Sequence, residues 1–301
     1  MVRRKILITG CQGQLGRALM PFFSCLYDAV GVSSENCDVR IYTQVQACLK
    51  NMRPTIVLHA AAYTDVDGCE ANQQLALDVN ALGTENVARA CKEIGARMVY
   101  YSTDYVFDGA KGSPYVETDP ASPKNVYGRS KLEGEKRLAS LLEDGVILRV
   151  AWLYGIEGDN FVKKIVKLGL KQLEARKRGR QIEAIKIVDD QIGNPTWTMD
   201  VAEQTKVLIE NDLVGLFHCT AEGDTSWHQL ARDIFTILSL DVRTQPCLSD
   251  EFPHSAPRPK YTSLENKRLK DVGLNVMRDY KTALKEFLNK YGDVLCTGDV
   301  T

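Results

Sequence analysis

Tyr127-Gly128-Arg129-Ser130-Lys131 sets a phenol and an ammonium four residues apart, which on a helix puts both on one face. A lysine beside a tyrosine stabilises the phenolate, lowers the tyrosine pKa and makes a usable acid at neutral pH. Alone, this spacing is common and usually marks an exposed surface pair. It gains weight from what precedes it. Gly10-Cys11-Gln12-Gly13-Gln14-Leu15-Gly16 is a GxxGxxG run between a short apolar segment, Lys5–Thr9, and a helical pattern that starts near Gln14. Glycines there let the backbone turn tightly against a pyrophosphate, and the helix start offers N–H donors and a positive dipole end. A third segment, Tyr101-Ser102-Thr103-Asp104-Tyr105-Val106-Phe107-Asp108-Gly109, begins at the carboxyl end of a predicted strand. Ligands bind at such ends in α/β sheets, so Thr103 can donate to a carbonyl oxygen that Tyr127 also reaches.

These groups need a scaffold, and the first half of the chain supplies one by alternation. Strands are predicted at Lys5–Thr9, Asp28–Val32, Thr55–His59, Arg97–Ser102 and Gly145–Val150. Helical patterns fall at Gln14–Ser24, Thr43–Met52, Ala71–Ile94 with a break near Gly83, and Val126–Leu142. Such alternation means βαβ units and a parallel sheet. The fold class is α/β, a Rossmann-type doubly wound sheet followed by a smaller C-terminal α/β substrate domain. The first domain is expected over residues 1–150, with segments from about 185–220 free to return to it. The second covers mainly 151–295, and 296–301 reads as a tail. Further helices are expected at Asn160–Leu173, Thr198–Glu210, Ser226–Leu238 and Lys281–Lys290, with strands at Ile185–Val188 and Leu213–Cys219.

Composition narrows the function classes. Thirty-eight Lys and Arg against 39 Asp and Glu give a net charge of −1, which argues against binding nucleic acid or an acidic membrane through bulk charge. The basic run Arg176-Lys177-Arg178-Gly179-Arg180 reads as a solvated helix end. No apolar run is long enough to cross a bilayer. Nine scattered cysteines without a CxxC pair fit reduced thiols in a cytoplasmic protein. His59, His218, His228 and His254 are too far apart for HxxxH metal spacing. Behind Arg3, Arg4 and Lys5 only Ile6, Leu7 and Ile8 precede Thr9. That is short of the roughly 7–15 apolar residues of a signal peptide, so the chain is expected to be unprocessed.

TGCQGQLG at 9–16, AAAYTDVDGCE at 60–70, STDYVFDG at 102–109, SPKNVYGRSK at 122–131, LRVAWLYG at 148–155, DDQIGNPTW at 189–197 and APRP at 256–259 occur in order along the chain. Together they resemble the dTDP-4-dehydrorhamnose reductases, a family of extended short-chain dehydrogenases/reductases. The resemblance implies Thr103, Tyr127 and Lys131 as the catalytic trio. Hydride would pass from a nicotinamide to the C4 ketone of a dTDP-sugar, Tyr127 would protonate the alkoxide, Thr103 would hydrogen-bond it, and Lys131 would hold the nicotinamide ribose. It further implies cofactor contacts from Gly10, Gln12, Gly13, Gln14, Leu15, Gly16, Ser33, Asp38, Val39, Ala60, Ala61, Ala62, Tyr63, Ser102, Tyr127 and Lys131. Thr103, Asp104, Trp152, Asn160 and Arg258 would meet the substrate, Arg258 through the bidentate fork that suits a diphosphate.

Three further features bear on what the resemblance implies. Ser33 stands after the second strand where an acid would repel a 2′-phosphate, so NADPH is tolerated and NADH remains usable. Some family members pair through Mg²⁺ held by glutamates, and one matching position here is Ala18. No metal requirement is expected, and the chain is read as a monomer or homodimer. Asp65, Asp67 and Glu70 read as helix-start caps rather than metal ligands. Two other functions share much of the pattern: a sugar-nucleotide epimerase or dehydratase, and a non-catalytic NADP-binding subunit like the regulatory β subunit of methionine adenosyltransferase.

Overall fold

Strands rich in aliphatic residues on both faces belong in the middle of a layered structure. The computed structural model describes residues 4–252 and 255–297 and places them there. Arg3, His254 and the end of the expected tail, 298–301, lie outside the described residues. Six strands form the sheet: β1 Lys5–Thr9, β2 Asp28–Val32, β3 Ile56–His59, β4 Arg97–Thr103, β5 Val146–Val150 and β6 Gly215–His218. Their order is β6-β5-β4-β3-β1-β2 and every pairing is parallel. The Rossmann-type architecture read from the alternation is therefore present. The order reverses between β1 and β3, so a crevice opens beyond Thr9 and His59.

Eight longer helices accompany the sheet: α1 Gln14–Leu26, α2 Tyr42–Met52, α3 Gly83–Ile94, α4 Val126–Leu141, α5 Phe161–Lys177, α6 Thr198–Glu210, α7 Trp227–Ile237 and α8 Tyr280–Thr297. Alternate residues of each strand face opposite layers. Ile6, Ile8, Leu58 and Leu148 pack against Leu15, Leu19 and Phe23 of α1 and Val201 and Leu208 of α6. Leu7, Val57, Met98 and Ile147 pack on the other side, against Val45 and Leu49 of α2, Val87 and Cys91 of α3, and Leu138 of α4. A separate core joins α5, α7 and α8 through Val162, Ile165, Leu230, Ile234, Leu284 and Phe287.

Three elements differ by more than two residues from those expected. The pattern over Ala71–Ile94 breaks at Gly83 as expected, where α3 begins, but the part before it starts earlier and divides into Val66–Ala71, Gln73–Leu77 and a π-helical turn at Asp78–Leu82. The π turn turns buried Asn80 toward Tyr63 and Ser130, which it hydrogen-bonds. Helix α5 continues to Lys177 because Gln172 is anchored on the backbones of Glu183 and Arg243. Helix α8 continues through Cys296 and Thr297, since buried Leu295 still packs on the second core; these two residues are helix rather than tail.

One buried ion pair ties the sheet to α4. Arg149 of β5 donates to both carboxylate oxygens of Glu135, at 2.9 and 2.7 Å, with the two side chains 5% and 6% exposed. Removing one partner of such a pair strands the other charge in the interior. Glu135→Leu is expected to cost about 3–5 kcal/mol in urea unfolding, and Glu135→Leu with Arg149→Met to recover most of it. A single variant as stable as the wild type would contradict this account.

Candidate active site

The glycine run follows β1 directly. Gly10 has φ +66, and a Cβ there would lie 2.6 Å from the Ala61 backbone. A Cβ on Gly16 would lie 2.1 Å from the Gly10 carbonyl oxygen. These two glycines make the turn and the close strand–helix approach. Gly13 differs. A Cβ there would meet only the Gly10 oxygen, at 3.3 Å, and Gly13 faces open space as the N-cap of α1.

That space consists of two adjoining cavities. One of about 390 Å³ runs over Gly10, Gln12 and Gly13 to Ser33, Asp38 and Val39, with Ala60, Ala61, Ala62 and Tyr63 on its other side. The second, about 410 Å³, shares Gly13, Ala60 and Ala62 with the first and extends past Gln14 and Leu15. Its deeper wall holds Ser102, Thr103, Asp104, Tyr127, Lys131 and Trp152. The pair has the form a dinucleotide needs: two lobes meeting over the helix N-terminus, where N–H donors and the helix dipole favour a pyrophosphate. Of the expected site residues, Gly16, Asn160 and Arg258 line neither cavity. Gly16 is consumed by packing. Asn160 caps α5, accepting from Lys163 N at 3.1 Å and donating to Gly155 O at 2.8 Å. Arg258 donates to Asp67 Oδ2 at 2.7 Å, and one of its guanidinium nitrogens is buried without a partner.

The acidic segment divides its work. Asp65 caps the helix Val66–Ala71 through Gly68 N, as expected. Glu70 instead accepts from Val126 N at the start of α4, and Asp67 accepts from Ala256 N as well as Arg258. Among the described residues no group of three or more His, Cys, Asp or Glu could hold a metal ion, and no helix is long and apolar enough to cross a membrane.

Asn125 caps α4 through Gly128 N and thereby sets where Tyr127 and Lys131 leave the helix. The Tyr127 phenol and the Thr103 hydroxyl line the same cavity, and the hydroxyl donates to Asp104 Oδ1 at 3.0 Å. Burial pushes Tyr127 well above the usual tyrosine pKa, and the nearby Thr103 hydroxyl offsets only part of this. The lowering expected from Lys131 is not seen. The ammonium instead donates to Tyr101 O at 2.6 Å and lies over the Tyr100 ring at 4.1 Å. Burial pushes Lys131 down to about 7, against a smaller upward pull from Glu135. Tyr127 thus holds its proton, the state a donor requires.

Asp104 is buried beside them and pushed up to about 6, chiefly by burial. Thr262, at 2.6 Å, and Thr103, at 3.0 Å, donate to its two oxygens and pull the other way. A raised carboxyl contributes its full stability below the unfolded value near 4 and loses it as pH rises through about 6. Measured against Asp104→Asn, the wild type is expected to lose about 2–3 kcal/mol between pH 4 and pH 7. Equal pH dependence of the two unfolding curves would contradict it.

Sequence reasoning missed several lining residues. Trp227 lines the second cavity and stacks on Trp152; it sits in an ordinary helix start with no motif around it. Arg40 lines the first cavity and grips Asp38 through Nε and Nη2. An arginine shortly after the second strand was a usable signal, since such a residue accommodates a 2′-phosphate.

Comparison with known proteins agrees with this geometry. Residues 4–292 match the family model for the RmlD substrate binding domain. A dTDP-4-keto-6-deoxy-D-glucose reductase from Streptomyces niveus is 39% identical over 283 residues, 93% of this chain and 95% of that protein. A dTDP-4-dehydrorhamnose reductase from Streptomyces griseus is 37% identical over 292 residues, 94% and 93% of the two chains. The crystal structure of dTDP-4-dehydrorhamnose reductase from Bacillus anthracis str. Ames in complex with NADP superposes with a TM-score of 0.90 at 36% identity, covering 96% of this chain and 100% of that one. With the glycine turn, the paired cavities and the Thr103–Tyr127–Lys131 cluster in place over nearly its whole length, the chain belongs to the RmlD family of dTDP-4-dehydrorhamnose reductases.

Proposed function

We propose that the protein reduces the C4 ketone of dTDP-4-dehydro-L-rhamnose to give dTDP-L-rhamnose, with NADPH as the preferred hydride donor. The observation that carries this reading is the convergence of Thr103, Tyr127 and Lys131 on one cavity that opens into the glycine-lined one. The glycine turn and Ser33, Asp38 and Val39 hold the adenosine half of the dinucleotide, and Lys131 holds the nicotinamide ribose. Ser33 brings no negative charge to the ribose 2′ position, and Arg40 stands nearby, which supports NADPH over NADH. When bound, the reduced nicotinamide supplies a hydride to C4. Tyr127 delivers its proton to the ketone oxygen, and Thr103, once its hydroxyl turns from Asp104 Oδ1, donates to the same oxygen and stabilises the charge that builds there. Trp152 bounds the sugar side of the cavity, and Arg258 approaches the diphosphate once it parts from Asp67.

The named relatives are reductases of 4-keto sugar nucleotides, which supports the C4 ketone as the reacting group. The test is oxidation of NADPH in the presence of dTDP-4-dehydro-L-rhamnose, with dTDP-4-keto-6-deoxy-D-glucose as the comparison substrate. Faster turnover of the rhamnose precursor is expected. Tight NADPH binding without turnover of either sugar would overturn the proposal in favour of a regulatory, cofactor-binding protein.

A further inference from the structure

Trp152 is held in an unusual way. Four non-glycine residues among those described have positive φ: Arg53, Trp152, Asp212 and Ser239. Arg53, Asp212 and Ser239 follow the ends of α2, α6 and α7, where a left-handed residue commonly closes a helix. Trp152, at φ +45, follows a strand instead. A bulky side chain in that region is strained and persists only where its surroundings over-determine it.

Those surroundings are two residues of one short ladder. Ile192–Gly193 pairs with Thr225–Ser226, and Trp227 comes next in the chain. The Trp152 indole lies so close to Gly193 that a Cβ there would approach its Cε2 to 2.5 Å and its Nε1 to 2.6 Å. The same indole stacks on Trp227, with ring centroids 3.4 Å apart and planes 4° from parallel. Trp227 is itself fixed, with Phe161 behind it at 4.6 Å and its indole N–H donating to Gln191 Oε1 at 3.2 Å. The clamp lies close to the chemistry, because Val150, two residues before Trp152, is the ladder partner of Thr103.

We infer that Gly193 and Trp227 are positioning residues that clamp Trp152 into the cleft as a contact for the sugar nucleotide; this rests on the function proposed for the site. The clamp spends backbone strain to place one indole beside the reacting groups, and Trp227, although it lines the same cavity, is assigned to hold Trp152 rather than to bind the sugar itself. Both positions should therefore affect sugar binding and spare the dinucleotide.

The experiment compares Trp227→Leu, Trp227→Phe, Gly193→Ala, Trp152→Leu and the Trp152→Leu/Trp227→Leu double variant. Steady-state rates are measured with dTDP-4-dehydro-L-rhamnose, and NADPH affinity is measured separately. Trp227→Leu and Gly193→Ala are expected to raise KM for the sugar about tenfold or more with little change in kcat, the signature of lost binding shared by ground and transition states. NADPH affinity should stay within about twofold, Trp227→Phe should recover most of the loss, and the double variant should be no worse than Trp152→Leu. An unchanged sugar KM, a parallel loss of NADPH affinity, or additive effects in the double variant would overturn the inference. If the wild type does not turn the sugar over, the proposed function fails. The clamp is then judged by calorimetric binding of dTDP-L-rhamnose to the same variants, with the same criteria.

Discussion

Tyr127→Phe is expected to lower kcat by about 10²–10⁴-fold while leaving the fold and NADPH affinity intact. The substitution removes one hydroxyl. Tyr127 leaves α4 at a position set by the Asn125 cap, and the ring keeps its edge-on contact with Tyr105 at 6.0 Å, so the backbone and packing survive. What is lost is the proton for the oxygen at C4. Burial holds that proton on the phenol at neutral pH, and the alkoxide would then have to find a proton from water. Thr103→Val should cost less. It removes the hydroxyl that donates to Asp104 Oδ1 in the free protein and that turns to the same oxygen in the complex, but no transferred proton. A folded Tyr127→Phe enzyme working near the wild-type rate would show that the Tyr127–Lys131 pair has no part in the chemistry.

The second large effect separates two glycines of the same run. Gly13→Val is expected to leave the protein folded yet weaken NADPH binding by about 100-fold or more, because its side chain would occupy the place where backbone and pyrophosphate meet. A Cβ at Gly13 meets only the Gly10 oxygen, at 3.3 Å, so a small local shift is expected to admit the valine without unfolding the chain. Gly16→Val should instead destabilise the fold, since even a Cβ there collides with the backbone of Gly10 and Cys11. Calorimetric titration with NADPH and thermal unfolding of both variants distinguish the two. Unchanged affinity in folded Gly13→Val would remove the glycine turn from the cofactor site.

Much of this molecule was legible in local sequence. The five N-terminal strands and their helices show as short apolar runs alternating with helical periodicity, patterns set by neighbours within a few residues. The glycine turn and the Tyr127–Lys131 pair are likewise local: one turn and one helix face carry them, and each could be read before any contact was known. The resemblance covered the rest of the expected site, but it supplied residues without their surroundings.

Tertiary structure decided what depends on distant partners. Arg258 is bonded to Asp67 across 191 residues of sequence, and Thr262 reaches Asp104 across 158, pairings no periodicity encodes. Lys131 was expected to tune Tyr127; burial and the Tyr101 carbonyl direct its ammonium elsewhere, because the cost of desolvation depends on everything packed around a group. Asn160 is used up as a helix cap, and Trp227 enters the cleft only because a two-residue ladder brings it to Trp152. Sequence alone therefore determined which groups could do chemistry and on which elements they ride. Their protonation, their partners and the shape of the cleft wall arose from packing between segments far apart in the chain.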